Sequence, residues 1–235
     1  MISKVPPPPV AEHHGESGAP PCTPEQRVTR ALLGYGIVAG PFYVAVSLTQ
    51  AALREGFDLT RHPWSLLANG PAGWIQIANL ILTGLMVTAA AVGYSRALRG
   101  GIGRRWVPIL LATYGISLIG AGVFRADPMD GFPVGTPAGP PVFPTLSALL
   151  HLVFGGVGFL AMIIATFVLA RRFRHEGRHR RAVASIVTGV AFLAAFVGIA
   201  SGSGSPAVNL AFTAAVLLIW GWLSSTSRYF YRKLA

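Results

Sequence analysis

Apolar residues fall into six uninterrupted runs: Ala31 to Leu53, Ala72 to Tyr94, Trp106 to Phe124, Leu146 to Ala170, Ala182 to Ala200 and Ala207 to Leu223. None of them contains Lys, Arg, Asp or Glu. At 1.5 Å rise per residue each is about long enough to cross a hydrocarbon core of roughly 30 Å. The pattern predicts an all-α fold, a polytopic bundle of six transmembrane helices. Within the runs, small and polar residues recur at helical spacing. Span one carries Gly36, Gly40, Tyr43, Ser47 and Gln50, and span two Gln76, Asn79 and Thr83. Span three has Thr113, Ser117 and Gly120. Span four has Ser147, His151, Gly155, Gly158 and Met162, and span six Asn209, Thr213 and Trp220. Little apolar driving force acts between helices in lipid, so these faces are expected to point into the bundle. Trp64, Trp74 and Phe132 on one side and Trp106, Trp222, Tyr229 and Tyr231 on the other read as interfacial anchors.

Charge orients the bundle. The stretch before span one holds Lys4, Arg27 and Arg30, and the second loop Arg96, Arg99, Arg104 and Arg105. The fourth loop holds Arg171, Arg172, Arg174, Arg178, Arg180 and Arg181, and the C-terminus Arg228, Arg232 and Lys233. The opposite side has only Arg54, Arg61 and Arg125. Positive charge marks cytoplasmic loops, so both termini are expected in the cytoplasm. The chain's net charge of +11 is therefore topological, and no nucleic-acid partner is expected. The basic side would attract anionic lipid headgroups. Arg outnumbers Lys 17 to 2, a usage typical of GC-rich bacterial genomes, which implies a bacterial cell membrane. Residues 1–26 are rich in Pro and cannot bury a core; they read as a disordered tail, followed by a transmembrane domain over 27–235. The His13–His14 pair, the His175/His179 pair and Cys22 read as solvated or inert.

Several function classes are disfavoured. No span contains Lys for a retinal Schiff base, and only one contains His, which rules out a bis-histidine haem. There is no Gly-rich phosphate loop, Gly-x-Ser-x-Gly or His-Glu-x-x-His. Spans without carboxylates argue against an ion-coupled pump.

What remains is the sparsely charged outer side. The loops from Arg54 to Pro71 and from Arg125 to Pro144 are long, and six prolines stiffen the second, which reads as an ordered lid. His151 lies within a span, a functional hypothesis by default. Its structural alternative is a hydrogen bond to Gln76 or Asn79. Asp127 before Pro128 starts a turn or pairs with Arg125 or Arg61. Two functional sets follow. Asp58, Arg61, His62, Trp74, Gln76, Asn79 and Arg125 would line an outward pocket for a lipid or another amphipathic ligand. Alternatively, His151 with Asp127 or Asp130 would serve a membrane hydrolase or lipid-modifying enzyme; a scaffold for a partner is the third reading. Asp58, Asp127, Asp130 and His151 lack a diagnostic metal spacing, and no metal or cofactor is expected. Membrane lipids are the expected partners, and the pattern leaves the oligomeric state open.

Three stretches also carry a likeness. Asn69-Gly-Pro-Ala-Gly-Trp74-Ile-Gln-Ile-Ala-Asn79, Gly-Val-Phe124-Arg-Ala-Asp127-Pro-Met-Asp130-Gly and Leu149-Leu-His151-Leu-Val-Phe-Gly155 resemble the prokaryotic membrane proteins grouped as domain of unknown function 998. The resemblance runs from about span one to span six. It implies a six-helix integral membrane protein and draws attention to Trp74, Asn79, Asp127 and His151, without naming a reaction.

Overall fold

The computed structural model describes residues 23–202 and 204–234. They form six long helices: α1 (Pro24–Leu53), α2 (Gly73–Ala97), α3 (Trp106–Val123), α4 (Leu146–His175), α5 (His179–Ala200) and α6 (Pro206–Lys233). A 3-10 helix, Trp64–Ala68, precedes α2. All six long helices have the length and hydropathy to cross a membrane. Among the described residues the only β pairing is an isolated bridge between Met129 and Phe132. The chain is an all-α six-helix bundle.

Three helices outrun their apolar segments by more than a turn. α1 starts at Pro24 because Thr23 and Gln26 form a capping box: Thr23 Oγ1 accepts from the Gln26 amide, and Gln26 Oε1 accepts from the Thr23 amide at 2.8 Å. Pro24, Glu25 and Gln26 of the Pro-rich stretch are thus helical, and residues 1–22 lie outside the described residues. α4 continues to His175 and α6 to Lys233, with basic residues in their last turns where they complement the helix dipole.

Each helix packs against its neighbours in sequence, and α6 closes the ring against α1. Glycines bring the backbones together at the seams, as expected where packing rather than hydrophobic exclusion holds helices. A Cβ on Gly84 of α2 would lie 2.5 Å from the Gly115 carbonyl oxygen of α3, and one on Gly115 would lie 2.7 Å from that of Gly84. Gly36 of α1 is similarly filled by Ser227 of α6, and Gly189 of α5 by Thr166 of α4. Leu33, Val87, Leu111, Met162, Leu169 and Ile219 build the apolar core. Val38, Leu82, Ile116, Leu152 and Val190 face outward, as lipid-facing side chains should. The small and polar faces of spans one and two point inward: Gly36, Gly40, Tyr43, Ser47, Gln50, Gln76, Asn79 and Thr83 are all buried.

Three of the aromatic residues read as interfacial anchors are interior. Trp64 is 2% exposed, Phe132 1% and Trp222 7%. Trp64 donates to Thr213 Oγ1 at 3.1 Å, and Trp222 donates to Ser185 Oγ at 2.9 Å, so each indole N–H has a protein partner and needs no interface. Trp74 and Trp106 are exposed, where such anchors belong.

Candidate functional site

The two long loops and the 3-10 helix fold into one cap over the end of the bundle opposite the termini. Its centre is a small apolar cluster of Leu66, Leu67 and Phe132, with Phe57, Ala126 and Met129 against it. Phe132 meets Phe57 edge to face at 5.1 Å between centroids. Arg54, at the exit of α1, ties the pieces together. Its guanidinium donates to the Leu67 carbonyl at 3.0 Å and the Asn69 carbonyl at 2.6 Å, and it lies over the Phe132 ring. The second loop is ordered by its own hydrogen bonds, including Asp130 N–H to Gly139 O and Gly131 N–H to Pro137 O. The loop its prolines suggested would be ordered is thus held by its own backbone.

His62 stitches the two loops. It is 1% exposed, its Nδ1 accepts from the Asp58 amide at 2.9 Å, and its Nε2 contacts the Asp130 carbonyl at 3.0 Å. With Nδ1 accepting, the proton sits on Nε2 and is donated to that carbonyl. Arg61 donates to the same oxygen at 2.9 Å. Asp130 contributes its backbone here and has a left-handed φ of 54°. Asp58 folds back on Thr60, accepting from its amide at 2.8 Å and its hydroxyl at 2.7 Å. These bonds, with the Thr60 amide foremost, hold the Asp58 carboxyl below its ordinary range.

Asp127 and His151 each secure a helix end. The Asp127 carboxylate accepts from the Thr145 amide at 2.8 Å and from its hydroxyl at 2.6 Å. Thr145 is in turn the N-cap of α4, accepting from the Ala148 amide. Asp127 therefore pairs with Thr145, and neither with Arg125 nor with Arg61. His151 Nδ1 donates to the carbonyls of Ala121 at 3.0 Å and Phe124 at 2.8 Å, two groups that the end of α3 leaves open. It joins α3 to α4 and does not bond Gln76 or Asn79. Arg125 is exposed, with its carbonyl accepting from Ser147. Trp74 stands 67% exposed on the bundle's outer surface. Among the described residues no group of three or more His, Cys, Asp or Glu is arranged to hold a metal.

Gln76 and Asn79 belong to a different structure, a buried polar cluster between α1 and α2. Gln76 Oε1 accepts from Ser47, from Gln50 Nε2 at 2.8 Å and from Asn79 Nδ2. Asn79 Nδ2 also reaches Ser47 Oγ and the Tyr43 carbonyl. One acceptor, Gln50 Oε1, is buried without a hydrogen-bond partner. Beside the cluster stands an aromatic group. Tyr43 stacks on Trp64 at 5.8 Å and packs on Trp220 at 5.3 Å, and Trp220 touches Tyr114. Trp64 is both a member of this group and the first residue of the cap's 3-10 helix, so cap and cluster are continuous.

Ser47 and Gln50 carry as much of the cluster as Gln76 and Asn79, and the helical spacing of the polar face in span one was their signal. Arg54 and Thr145 were missed as organisers. The only cue for Thr145 was a hydroxyl residue just before an apolar run; for Arg54 there was none, because its acceptors are backbone carbonyls of the next loop.

Six apolar helices in a ring, with buried polar contacts between them and a folded cap, define a multi-pass membrane protein. The chain belongs to the family described as "Protein of unknown function (DUF998)", which matches residues 37–229. No curated protein and no solved structure matches it.

Proposed function

We propose that the protein is a binding protein of the bacterial cell membrane, with both termini in the cytoplasm, that takes up a lipid or another amphipathic molecule from the outer side. The ligand's polar end is received by Ser47, Gln50, Gln76 and Asn79, and its apolar part lies along Tyr43, Trp64 and Trp220. Arg61 and Arg125, exposed at the cap, meet a polar or anionic headgroup first. The cap moves aside for entry.

The observation that carries this reading is the orphan acceptor Gln50 Oε1 within a buried cluster of uncharged polar groups. Polar side chains inside a membrane are costly and mark ligand paths, and a buried acceptor without a donor costs about 1–3 kcal/mol. A hydroxyl or amide of a bound molecule would satisfy it. Binding is preferred to hydrolysis because His151 Nδ1 and both Asp127 oxygens are already engaged at helix ends.

Native mass spectrometry of the purified full chain tests the proposal. Gln50→Met should lose bound amphiphile while thermal stability holds or rises, since the orphan acceptor disappears. Gln76→Leu combined with Asn79→Leu should abolish the bound mass. If both variants carry the same mass at wild-type occupancy, the cluster only fixes helix register and the binding reading fails. A reporter fused at the C-terminus should read out in the cytoplasm.

A further inference from the structure

At the end of the bundle that carries the termini, a cleft of about 430 Å³ is lined by Glu25 and Thr29 of α1 and by Ser95, Arg96, Arg99 and Arg104 of the α2–α3 corner. Beside it, α1 and α2 pack closely. Gly93 lets α2 touch α1 so closely that a Cβ there would lie 2.9 Å from the Leu33 amide nitrogen and 3.0 Å from Leu32 Cβ. Less than a turn further along α2, Arg96 begins the arginine wall that opens the cleft.

The far wall is held in place from a third element. Arg172 of α4 donates to the Gly100 carbonyl at 2.9 Å and the Ile102 carbonyl at 3.0 Å. Glu176 fixes that guanidinium through a 2.7 Å ion pair. The loop between Arg99 and Arg104 is thereby pinned, with Gly101 and Gly103 supplying the left-handed residues its turn requires (φ 75° and 83°). The arginines it presents are little used by the protein itself. Among the described residues no carboxylate pairs with Arg96 or Arg104, and Arg99 meets Glu25 only at 4.0 Å, with both side chains more than three-quarters exposed. A pair of that kind contributes little and is readily exchanged. Trp106, 59% exposed just beyond Arg104, marks the depth of the lipid headgroups.

We propose that this cleft is a binding site for a phosphate group, with Arg96, Arg99 and Arg104 as its ligands. Arginine's planar fork suits phosphate oxygens, and here one fork is carried by the last turn of α2 and two by a pinned loop at headgroup level. Glu25 occupies Arg99 until the phosphate arrives. Two sources share this chemistry: the headgroup phosphate of an anionic phospholipid and a free phosphate compound. The site lies at the opposite end from the outer cap and is independent of the function proposed above.

Binding of phosphatidylglycerol to the detergent-purified full chain, titrated by native mass spectrometry with phosphatidylcholine as the reference lipid, tests it. R96A/R99A/R104A should weaken phosphatidylglycerol binding at least about tenfold, as the loss of charge-assisted bonds implies. R171A/R174A/R180A removes equal charge from exposed positions at the same end and should change it less than about twofold. R96K/R99K/R104K keeps the charge, loses the fork and should bind several-fold more weakly than wild type. Inorganic pyrophosphate distinguishes the sources. Displacement of the lipid shows that free phosphates also enter, whereas no displacement assigns the site to lipid. The proposal is overturned if the two triple-alanine variants lose affinity equally, or if the lysine variant binds as wild type does, because diffuse surface charge then explains the attraction.

Discussion

The two ends of the bundle use their charged residues in opposite ways. At the capped end charge is scarce and is mostly spent on the fold. Arg54 holds two loop carbonyls, His62 joins two loops, Asp127 holds the N-cap of α4, and Asp58 closes its own turn. At the arginine-rich end charge is abundant and mostly unspent. One guanidinium, Arg172, does most of the structural work with Glu176, and Glu176 also binds Tyr229 and Lys233. The difference teaches that a sparse polar residue beside a membrane is no guide to a binding site by itself. A lone charge in a folded loop is recruited by backbone groups that need a partner. A crowd of like charges cannot all be satisfied internally, and the surplus is available to ligands.

This contrast can be broken most severely at the apolar centre of the cap. Phe132→Ala should destabilise the protein by about 3 kcal/mol, through lost burial and the cavity left behind, read as a fall in the thermal unfolding midpoint in detergent. Limited proteolysis should then cut within residues 125–144. Arg54→Met comes next, at about 2 kcal/mol, because it strands the Leu67 and Asn69 carbonyls. A wild-type midpoint for Arg54→Met would show that the cap does not depend on this half-buried cation.

At the other end Arg172→Gln should cost about 1–2 kcal/mol and speed amide exchange over 98–105, the loop it pins. Glu176→Gln should cost about 1 kcal/mol, with a pH dependence. Partial burial pushes the Glu176 carboxyl up, but hydrogen bonds from Lys233 and Tyr229 and the charges of Lys233 and Arg172 outweigh it, so the net shift is below the ordinary value of 4.5. A carboxyl depressed in the folded state contributes stability above its unfolded pKa and loses it as pH falls through the folded one. The gap between wild type and Glu176→Gln should therefore be full at pH 6 and shrink below about pH 4.5. A gap that is constant from pH 6 to pH 3.5 contradicts this assignment. The smallest effect belongs to Asp58→Asn, about 0.5 kcal/mol, since the exposed turn keeps an acceptor for the Thr60 amide.

The spans were legible because the hydrocarbon core imposes a length and excludes charge, so each helix announces itself locally. The inward stripe of Tyr43, Ser47, Gln50, Gln76 and Asn79 was legible for the same reason: helical spacing alone places those residues on one face. The partners of isolated residues were not. His151 lies on the inward face as expected, yet its acceptors are the Ala121 and Phe124 carbonyls, which carry no side-chain signature. Trp64 and Phe132 looked like interfacial anchors because composition cannot distinguish an aromatic ring facing lipid from one inside a folded loop.

By itself, then, the amino-acid order determined six helices, the asymmetry of charge between the two ends, and which faces of the first two spans turn inward, all of which follow from the periodicity of a helix and the dielectric of a membrane. Only the tertiary structure decided that the two long loops close into a cap, that His62 and Arg54 are its fastenings, and that three arginines flank a common cleft. Those outcomes depend on backbone carbonyls and loop turns brought together from distant segments, and a carbonyl is the same in every residue.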